Sequence, residues 1–90
     1  MKKIIITVVG KDTVGVVAKT TTYLAKNNLN ILDLSQTVVS GYFTMMIIAD
    51  ASKSTKMFDT LGQELAALGQ TIGVKISCQK SEIFEKMHRV

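Results

Sequence analysis

The sequence has 90 residues, of which 47% are hydrophobic and 20% are charged, and its formal net charge is +4. This size and composition are those of one folded domain, and they exclude an intrinsically disordered chain. The single cysteine, Cys78, excludes an intramolecular disulfide and a cysteine-cluster metal site.

The basic residues are spread along the chain, and of the lysines only Lys2 and Lys3 are adjacent. Nucleic-acid surfaces usually concentrate lysine and arginine in a patch or stripe, so nucleic acid is a disfavoured partner. The apolar run that follows ends at Val9, too early for a signal peptide or a membrane span. We therefore expect a cytoplasmic protein with a single domain over residues 1–90 and its core at about 3–80.

A strand and a helix are predicted first, joined by a turn between two glycines. Residues Ile4–Val9 are almost all β-branched or apolar, which predicts a strand buried on both faces. Asp12 or Thr13 is suited to cap a helix over Val14–Asn27, and Asn27 and Asn28 are suited to end it. The predicted buried face of the helix carries Val17, Thr20 or Thr21, and Leu24, flanked by Val14, Ala18 and Ala25.

A hairpin is predicted next. In Ile31–Val39 one face carries Leu32, Leu34 and Val38 and the other carries polar side chains, which predicts a strand with one dry and one wetter face. Ser40-Gly41 is short enough only for a hairpin turn. The returning strand, Tyr42–Ala49, is largely apolar and is therefore expected at the centre of the sheet.

The last elements are a second helix and an alternating strand. Ser52 or Ser54 is suited to cap the helix, and Gly69 is expected to end it. Its apolar stripe comprises Met57 or Phe58, Leu61, Leu65 and Leu68. Thr71–Lys80 alternates as a strand with Ile72, Val74, Ile76 and Cys78 inward, and a tail at 81–90 has the apolar spacing of a short helix.

The predicted order β-α-β-β-α-β belongs to the α+β class and is typical of a ferredoxin-like sandwich. We expect a four-stranded antiparallel sheet with both helices on one face. The apolar first and third strands should be central and the second and fourth should be edges. The open sheet face and the edge of the second strand are then the surfaces available for self-association.

The turn between the first strand and the first helix is the best candidate for a binding site. Gly10 and Gly15 have the spacing of a phosphate-binding loop, but Val16-Val17 stands where that loop needs Lys-Ser/Thr. Nucleotide binding is therefore excluded. The backbone N–H groups at a helix N-terminus nevertheless suit a smaller anion such as a carboxylate.

The chain resembles the ACT domain family of amino-acid-binding regulatory modules. The resemblance lies in Asp12-x-x-Gly15-Val16-Val17, in the helix after it, and in Asn30-Ile31 at the start of the second strand. It covers about residues 3–80, and the sequence departs from the family pattern at Asn28, where glycine is common. Within the family the chain is similar to single-domain bacterial members and to the ACT repeats of a glycine-cleavage repressor.

The resemblance implies a homodimer that binds an amino acid or a related metabolite between the turn of one subunit and the second strand of the other. It implies these ligand-binding residues: Asp12, Thr13, Val14, Gly15, Val16, Asn30 and Ile31. Structural roles stay open beside them, because Asp12 is equally suited to capping, Gly15 to close helix packing and Asn30 to satisfying backbone groups.

Two other functions remain open, a ligand-free interaction module acting on an enzyme or regulator and, less favoured, a nucleic-acid-binding domain. An enzyme is not expected, because the sequence offers no nucleophile–base pair and no paired carboxylates. His88 has no residues nearby that suit a triad or a metal, and Cys78 alternates with apolar residues as a buried thiol would. We predict no metal and no cofactor.

Overall fold

The computed structural model describes residues 2–11 and 15–81 and contains four strands and two helices in the predicted order. Their bounds are β1 (Lys3–Lys11), α1 (Val16–Lys26), β2 (Asn30–Val39), β3 (Tyr42–Asp50), α2 (Phe58–Ile72) and β4 (Val74–Lys80). All strand pairs are antiparallel and the sheet order is β2-β3-β1-β4. The ferredoxin-like fold is thus confirmed, with β1 and β3 central and β2 and β4 at the edges.

The core lies between the helices and one face of the sheet. Alternate residues of β1, including Ile6 and Val8, pack there with Met45 and Ile47 of β3. Leu24 of α1 and Leu65 of α2 close the core from the helix side, and both are fully buried. Burial of these side chains is the main favourable term holding the two layers together.

The buried face of α1 keeps the predicted Thr20 and Leu24, but Val16 takes the place of Val17 and the predicted flanking alanines are not buried. Val16, Thr20 and Leu24 are its buried residues, whereas Val17 is 37% exposed and Ala18 and Ala25 are exposed. The buried threonine is tolerated because its hydroxyl donates a 2.8 Å hydrogen bond to the Val16 carbonyl. The spacing of four residues between these positions keeps them on one side of the helix.

The prediction of a dry face on β2 was wrong. Every residue of the strand is exposed except Leu34, which is partly buried. Leu34 packs against the core, whereas Leu32 and Val38, predicted on the same face, are 41% and 54% exposed. A bulge between Ile31 and Asp33 also interrupts the alternation on which the prediction rested.

The Ser40-Gly41 turn has the predicted hairpin geometry. Ser40 has φ 53° and Gly41 has φ 80°, so both central residues are left-handed, as a two-residue type I′ turn requires. Asn27 ends α1 as predicted, and Asn28 follows it in the left-handed region at φ 61°.

Both ends of α2 differ from the prediction. The N-cap position is Met57, without a side-chain cap, while the Ser52 hydroxyl donates to Asp50 and the Ser54 hydroxyl accepts from the Lys56 N–H. The helix continues through Gly69 and ends at Gly73, which has φ 94° and donates to the Gly69 carbonyl. Residues 71 and 72 are therefore helical and do not begin the last strand.

Among the residues that the structure describes, neither helix is long and apolar enough to cross a membrane. Of the tail predicted as a short helix at 81–90, residues 82–90, with His88, lie outside the described residues.

Candidate functional site

Gly10, the first glycine of the candidate turn, has a packing role. It pairs with Phe43 on one side and with Val74 on the other. A Cβ added to Gly10 would lie 2.8 Å from Val74 Cγ1, closer than real Cβ atoms approach, and a tight 3.1 Å from the Val74 Cα. Glycine is therefore needed here so that β1 and β4 can pair, which explains the residue without a ligand.

Gly15, the second glycine, has a conformational role. It occupies the N-cap position of α1 with φ 87° and ψ 2°, a left-handed conformation that side chains with a Cβ rarely adopt. Among the residues that the structure describes, a Cβ there would meet only Lys19 Cε, at an ordinary contact distance of 3.8 Å. The alternative that Gly15 serves close packing of the helix on the sheet is therefore wrong.

The N-terminus of α1 keeps the donors expected of an anion site. The first helical hydrogen bond runs from the Lys19 N–H to the Gly15 carbonyl at 2.9 Å, so the preceding N–H groups, from Val16 onward, have no partner within the helix. The first turn carries no acidic side chain. These groups and the helix dipole favour a negative charge at this end.

Lys19 belongs to the same site, although the sequence argument did not include it. Lys19 Cε lies 3.8 Å from the position of a Cβ added to Gly15, so the end of this side chain is beside the N-cap residue of α1. The signal was present in the sequence, because helical side chains point back toward the N-terminus and cover the residue four positions earlier. Lys19 supplies the basic side chain that the turn itself lacks.

Asn30 and Ile31 lie at the other end of the molecule. Asn30 pairs with Asp50, which pairs with Lys3 at the start of β1, whereas Gly15 follows the end of β1. The length of β1 separates them, about 25 Å at the usual rise per residue of a strand. Within one chain these two parts of the predicted site are therefore not brought together.

The other residues of the predicted site are partly buried, partly exposed and partly outside the described residues. Asp12, Thr13 and Val14 lie outside the described residues. Val16 is buried, 2% exposed, so only its backbone N–H can face a ligand. Asn30 is exposed and Ile31 is 37% exposed, and neither side chain is part of the core.

Apolar side chains accumulate along the β2 edge. Val38 is 54% exposed and Val39 63%, next to Tyr42 at 58% in the paired strand. Ile31 and Leu32 continue the series at the other end of the strand. Exposed apolar residues on a strand whose outer edge pairs with no other strand of the sheet form a surface suited to association.

The structure offers no catalytic arrangement in the region that it describes. Residues 2–11 and 15–81 contain no group of three histidine, cysteine or acidic side chains able to hold a metal. Cys78 is half-buried, and burial raises the pKa of its thiol to about 11, the opposite of what a nucleophilic cysteine needs.

The sequence profile of the ACT domain matches residues 2–79. A UPF0237 protein of Bifidobacterium longum is 53% identical over 90 residues, covering 100% of both chains. An ACT domain protein from Streptococcus pneumoniae is 49% identical, with a TM-score of 0.83 over 93% of this chain and 94% of that one. A protein assigned as a glycine cleavage system transcriptional repressor shares the fold at 22% identity, with a TM-score of 0.77 over 88% of this chain and 45% of that one.

Proposed function

This chain belongs to the ACT domain family of small regulatory domains, and from that premise we propose that it senses an amino acid or related metabolite at the interface of a homodimer. The observation that carries the proposal is the separation of Gly15 and Asn30 at opposite ends of one chain. A ligand held by both of them must lie between two subunits.

The antiparallel pairing of two β2 edges supplies the required arrangement. If a second copy lays its β2 alongside this one in the opposite direction, its first residues come next to Val39 at the end of the strand. Val39 pairs with Tyr42, which pairs with Lys11 at the end of β1, so this is the end that carries Gly15. The Asn30-Ile31 segment of each subunit then approaches the turn of the other.

Each part of the site has a distinct role in this proposal. The N–H groups at the start of α1 and the Lys19 ammonium bind the ligand carboxylate. Asn30 can donate and accept, which suits an α-amino and α-carboxylate pair. Asp12 would pair with the ammonium group, Thr13 and Val14 would contribute turn contacts, and Ile31 would contact the ligand side chain.

A ligand-free interaction module is the second candidate, and the exposure of β2 favours it. Apolar side chains at Ile31, Leu32, Val38 and Val39 are sufficient reason for the strand to pair without any metabolite. Sedimentation analysis distinguishes the monomer from the dimer, and ligand screening then distinguishes the two functions.

The screen measures the melting temperature of the protein with each of the twenty amino acids and related metabolites. A ligand at about a hundred times its dissociation constant adds about 2.7 kcal/mol of stability. For a domain of this size that is a rise of about 10–20 °C. A dimer whose melting temperature no compound raises would favour the interaction module.

Gly15→Asn tests the placement of the ligand. Asparagine tolerates the left-handed region, so the fold is retained while a side chain enters the proposed site. Gly41→Asn is the matched control, because Gly41 has φ 80° and nothing within 4 Å of an added Cβ. We expect Gly15→Asn alone to weaken ligand binding, by about tenfold or more. If both variants bound the ligand equally well, Gly15 would not be part of the binding site.

A further inference from the structure

A cavity of about 510 Å³ opens at the end of the molecule opposite Gly15. It lies between the start of β1, the β3–α2 connection, the start of α2 and the end of β4. We propose that this cavity, here called the basic cavity, is a second binding site, and that it takes a small organic phosphate with an apolar group. The inference does not depend on the proposed function.

Lysines give the basic cavity its charge. Four of them line it, and no acidic residue does so among those described: Lys2, Lys3, Lys56 and Lys80. Lys56 is neutralised by Glu64, whose Oε1 lies 2.6 Å from its Nζ. That is the only ion pair within residues 2–11 and 15–81, so the other three lysines have no acidic partner there.

Two carboxylates near the basic cavity offset part of this charge. Asp50 pairs with Lys3 across β1 and β3, and its carboxylate accepts from the Lys2 N–H at 3.2 Å and from the Ser52 N–H at 3.0 Å. Glu64 accepts from the Tyr23 hydroxyl as well as from Lys56. Among the described residues the lysines still outnumber these carboxylates, so the local charge is positive and favours an anionic ligand.

The walls of the cavity are apolar. Ile4 and Leu61, both core residues, form its deep side, and Phe58 and Met57 lie at the start of α2. Lys80 Nζ lies 5.4 Å from the centre of the Phe58 ring, so a positive charge borders the aromatic surface. Met57 is 75% exposed, an unusual exposure for an adaptable apolar side chain.

Together these features fit one ligand chemistry. The volume lies within the usual range for small-molecule sites, about 300–1,000 Å³. Inorganic phosphate would use the lysines but leave the apolar walls without a partner, and a neutral apolar molecule would leave the lysines without one. A phosphate ester with a flat apolar group satisfies both, with the phosphate at the lysines and the ring between Met57 and Phe58.

The basic cavity is distinct from the Gly15 part of the proposed amino-acid site, because Lys3 begins β1 and Lys11 ends it, about 25 Å away at the usual rise of a strand. Asn30, which would complete the site of the partner subunit, lies at the same end as the cavity but two strands away from Lys3, and it does not line the cavity. Each chain would therefore carry one cavity of its own, independent of whether Gly15 binds a ligand.

The test uses naphthyl phosphate as the probe and the full chain in isothermal titration calorimetry. We expect saturable binding that weakens as the salt concentration rises, and binding of inorganic phosphate and of naphthol that is about tenfold weaker or more. If naphthol bound as tightly as naphthyl phosphate, the cavity would be only an apolar cleft. If inorganic phosphate bound as tightly, the cavity would be only an ion site. Either result, or no binding of naphthyl phosphate, overturns the proposal.

Variants locate the binding. Lys80→Gln and Lys2→Gln should each weaken naphthyl phosphate binding by about fivefold to tenfold, the loss expected for one charge-assisted contact. Lys75→Gln is the matched control, because Lys75 lies on β4 but is exposed and does not line the cavity. The same loss in Lys75→Gln would show that only net charge matters, which contradicts a site at the cavity.

Discussion

The Tyr23 hydroxyl donates a 2.7 Å hydrogen bond to Glu64 Oε1 and so joins α1 to α2. The same carboxylate oxygen accepts from Lys56 Nζ at 2.6 Å, and that ammonium lies 5.8 Å from the centre of the Tyr23 ring. Burial, together with the bond to the Glu64 carboxylate, raises the pKa of Tyr23 well above its ordinary value. One small polar cluster therefore fixes the two helices relative to each other.

Removing the hydroxyl should weaken this link without disturbing the core. We expect Tyr23→Phe to lower the free energy of unfolding by about 0.5–1.5 kcal/mol, the usual net value of one hydrogen bond. Urea unfolding measures the change. Tyr42→Phe is the control, since Tyr42 is 58% exposed, and a loss as large in that variant would contradict the role given to Tyr23.

Stability should fall in acid partly because of Glu64. The hydrogen bond from Lys56, then that from Tyr23, lower the pKa of this carboxyl below its ordinary value of 4.5. Its contribution is therefore present above that value and is lost as the pH falls through the lower pKa of the folded protein. Glu64→Gln should flatten the acid limb of a plot of urea midpoint against pH.

A second variant checks the cause of that effect. Lys56→Met removes the main group that lowers the pKa of Glu64, so it should flatten the same limb while leaving the carboxyl in place. Some acid sensitivity should persist in both variants, because hydrogen bonds from Ser52 also lower the pKa of Asp50. An acid limb as steep as that of the parent in both variants would show that the cluster contributes no pH dependence.

Two glycines of α2 should respond in opposite directions to alanine. A Cβ at Gly62 meets nothing within 4 Å, whereas at Gly69 it would lie 2.7 Å from the Val74 carbonyl oxygen. We expect Gly62→Ala to stabilise the protein by about 0.5–1 kcal/mol, because alanine is the better helix former. Gly69→Ala should destabilise it by about 1–3 kcal/mol through overpacking. Urea unfolding of the pair would contradict this account if both changes had the same sign.

The single cysteine should react slowly in the folded protein. Burial raises the pKa of the Cys78 thiol from 9.0 to about 11, so at a given pH the thiolate is about a hundredfold scarcer than in an exposed cysteine. We expect the rate of reaction with Ellman's reagent to be lower by at least that factor than in the guanidinium-unfolded chain. Similar rates in the two states would show that the thiol is accessible.

The strand order was predictable because hydrophobicity and topology agree. β1 and β3 are rich in apolar residues on both faces, and only central strands need that composition. The hairpin was equally clear, since Ser40-Gly41 leaves room for nothing longer than a two-residue turn. Both signals come from residues that are close together in the sequence, so a single sequence is enough to detect them.

The wrong predictions concern residues whose burial or conformation depends on tertiary contacts. Val16 and Val17 are equally apolar, and only the position of the sheet selects Val16 for the core. Gly69 has the chemistry of a helix end but serves close packing on Val74, so the helix runs on to Gly73. For β2, the alternation of apolar and polar residues predicted a dry face. The sequence of a strand does not show how much of it the helices cover.

The family resemblance predicted where the candidate site lies, between the turn of one subunit and the second strand of the other. The residues themselves do not show this, because the turn and Asn30 are at opposite ends of one chain and a single sequence contains no signal for the symmetry of a dimer. Lys19 was missed for a simpler reason. Its role depends on where α1 begins, and the helix begins at Val16 with Gly15 as its N-cap, not at Val14 as predicted.

A single residue, Gly73, separates the end of α2 from the start of β4. Closing so short a connection costs little chain entropy, and Gly69, Val74 and Ile76 meet immediately across it. The strands β1 and β4, by contrast, are paired across most of the length of the chain. The α2–β4 unit, like the β2–β3 hairpin, thus joins contacts that are close in sequence, and we expect both units to form before the pairing of β1 with β4.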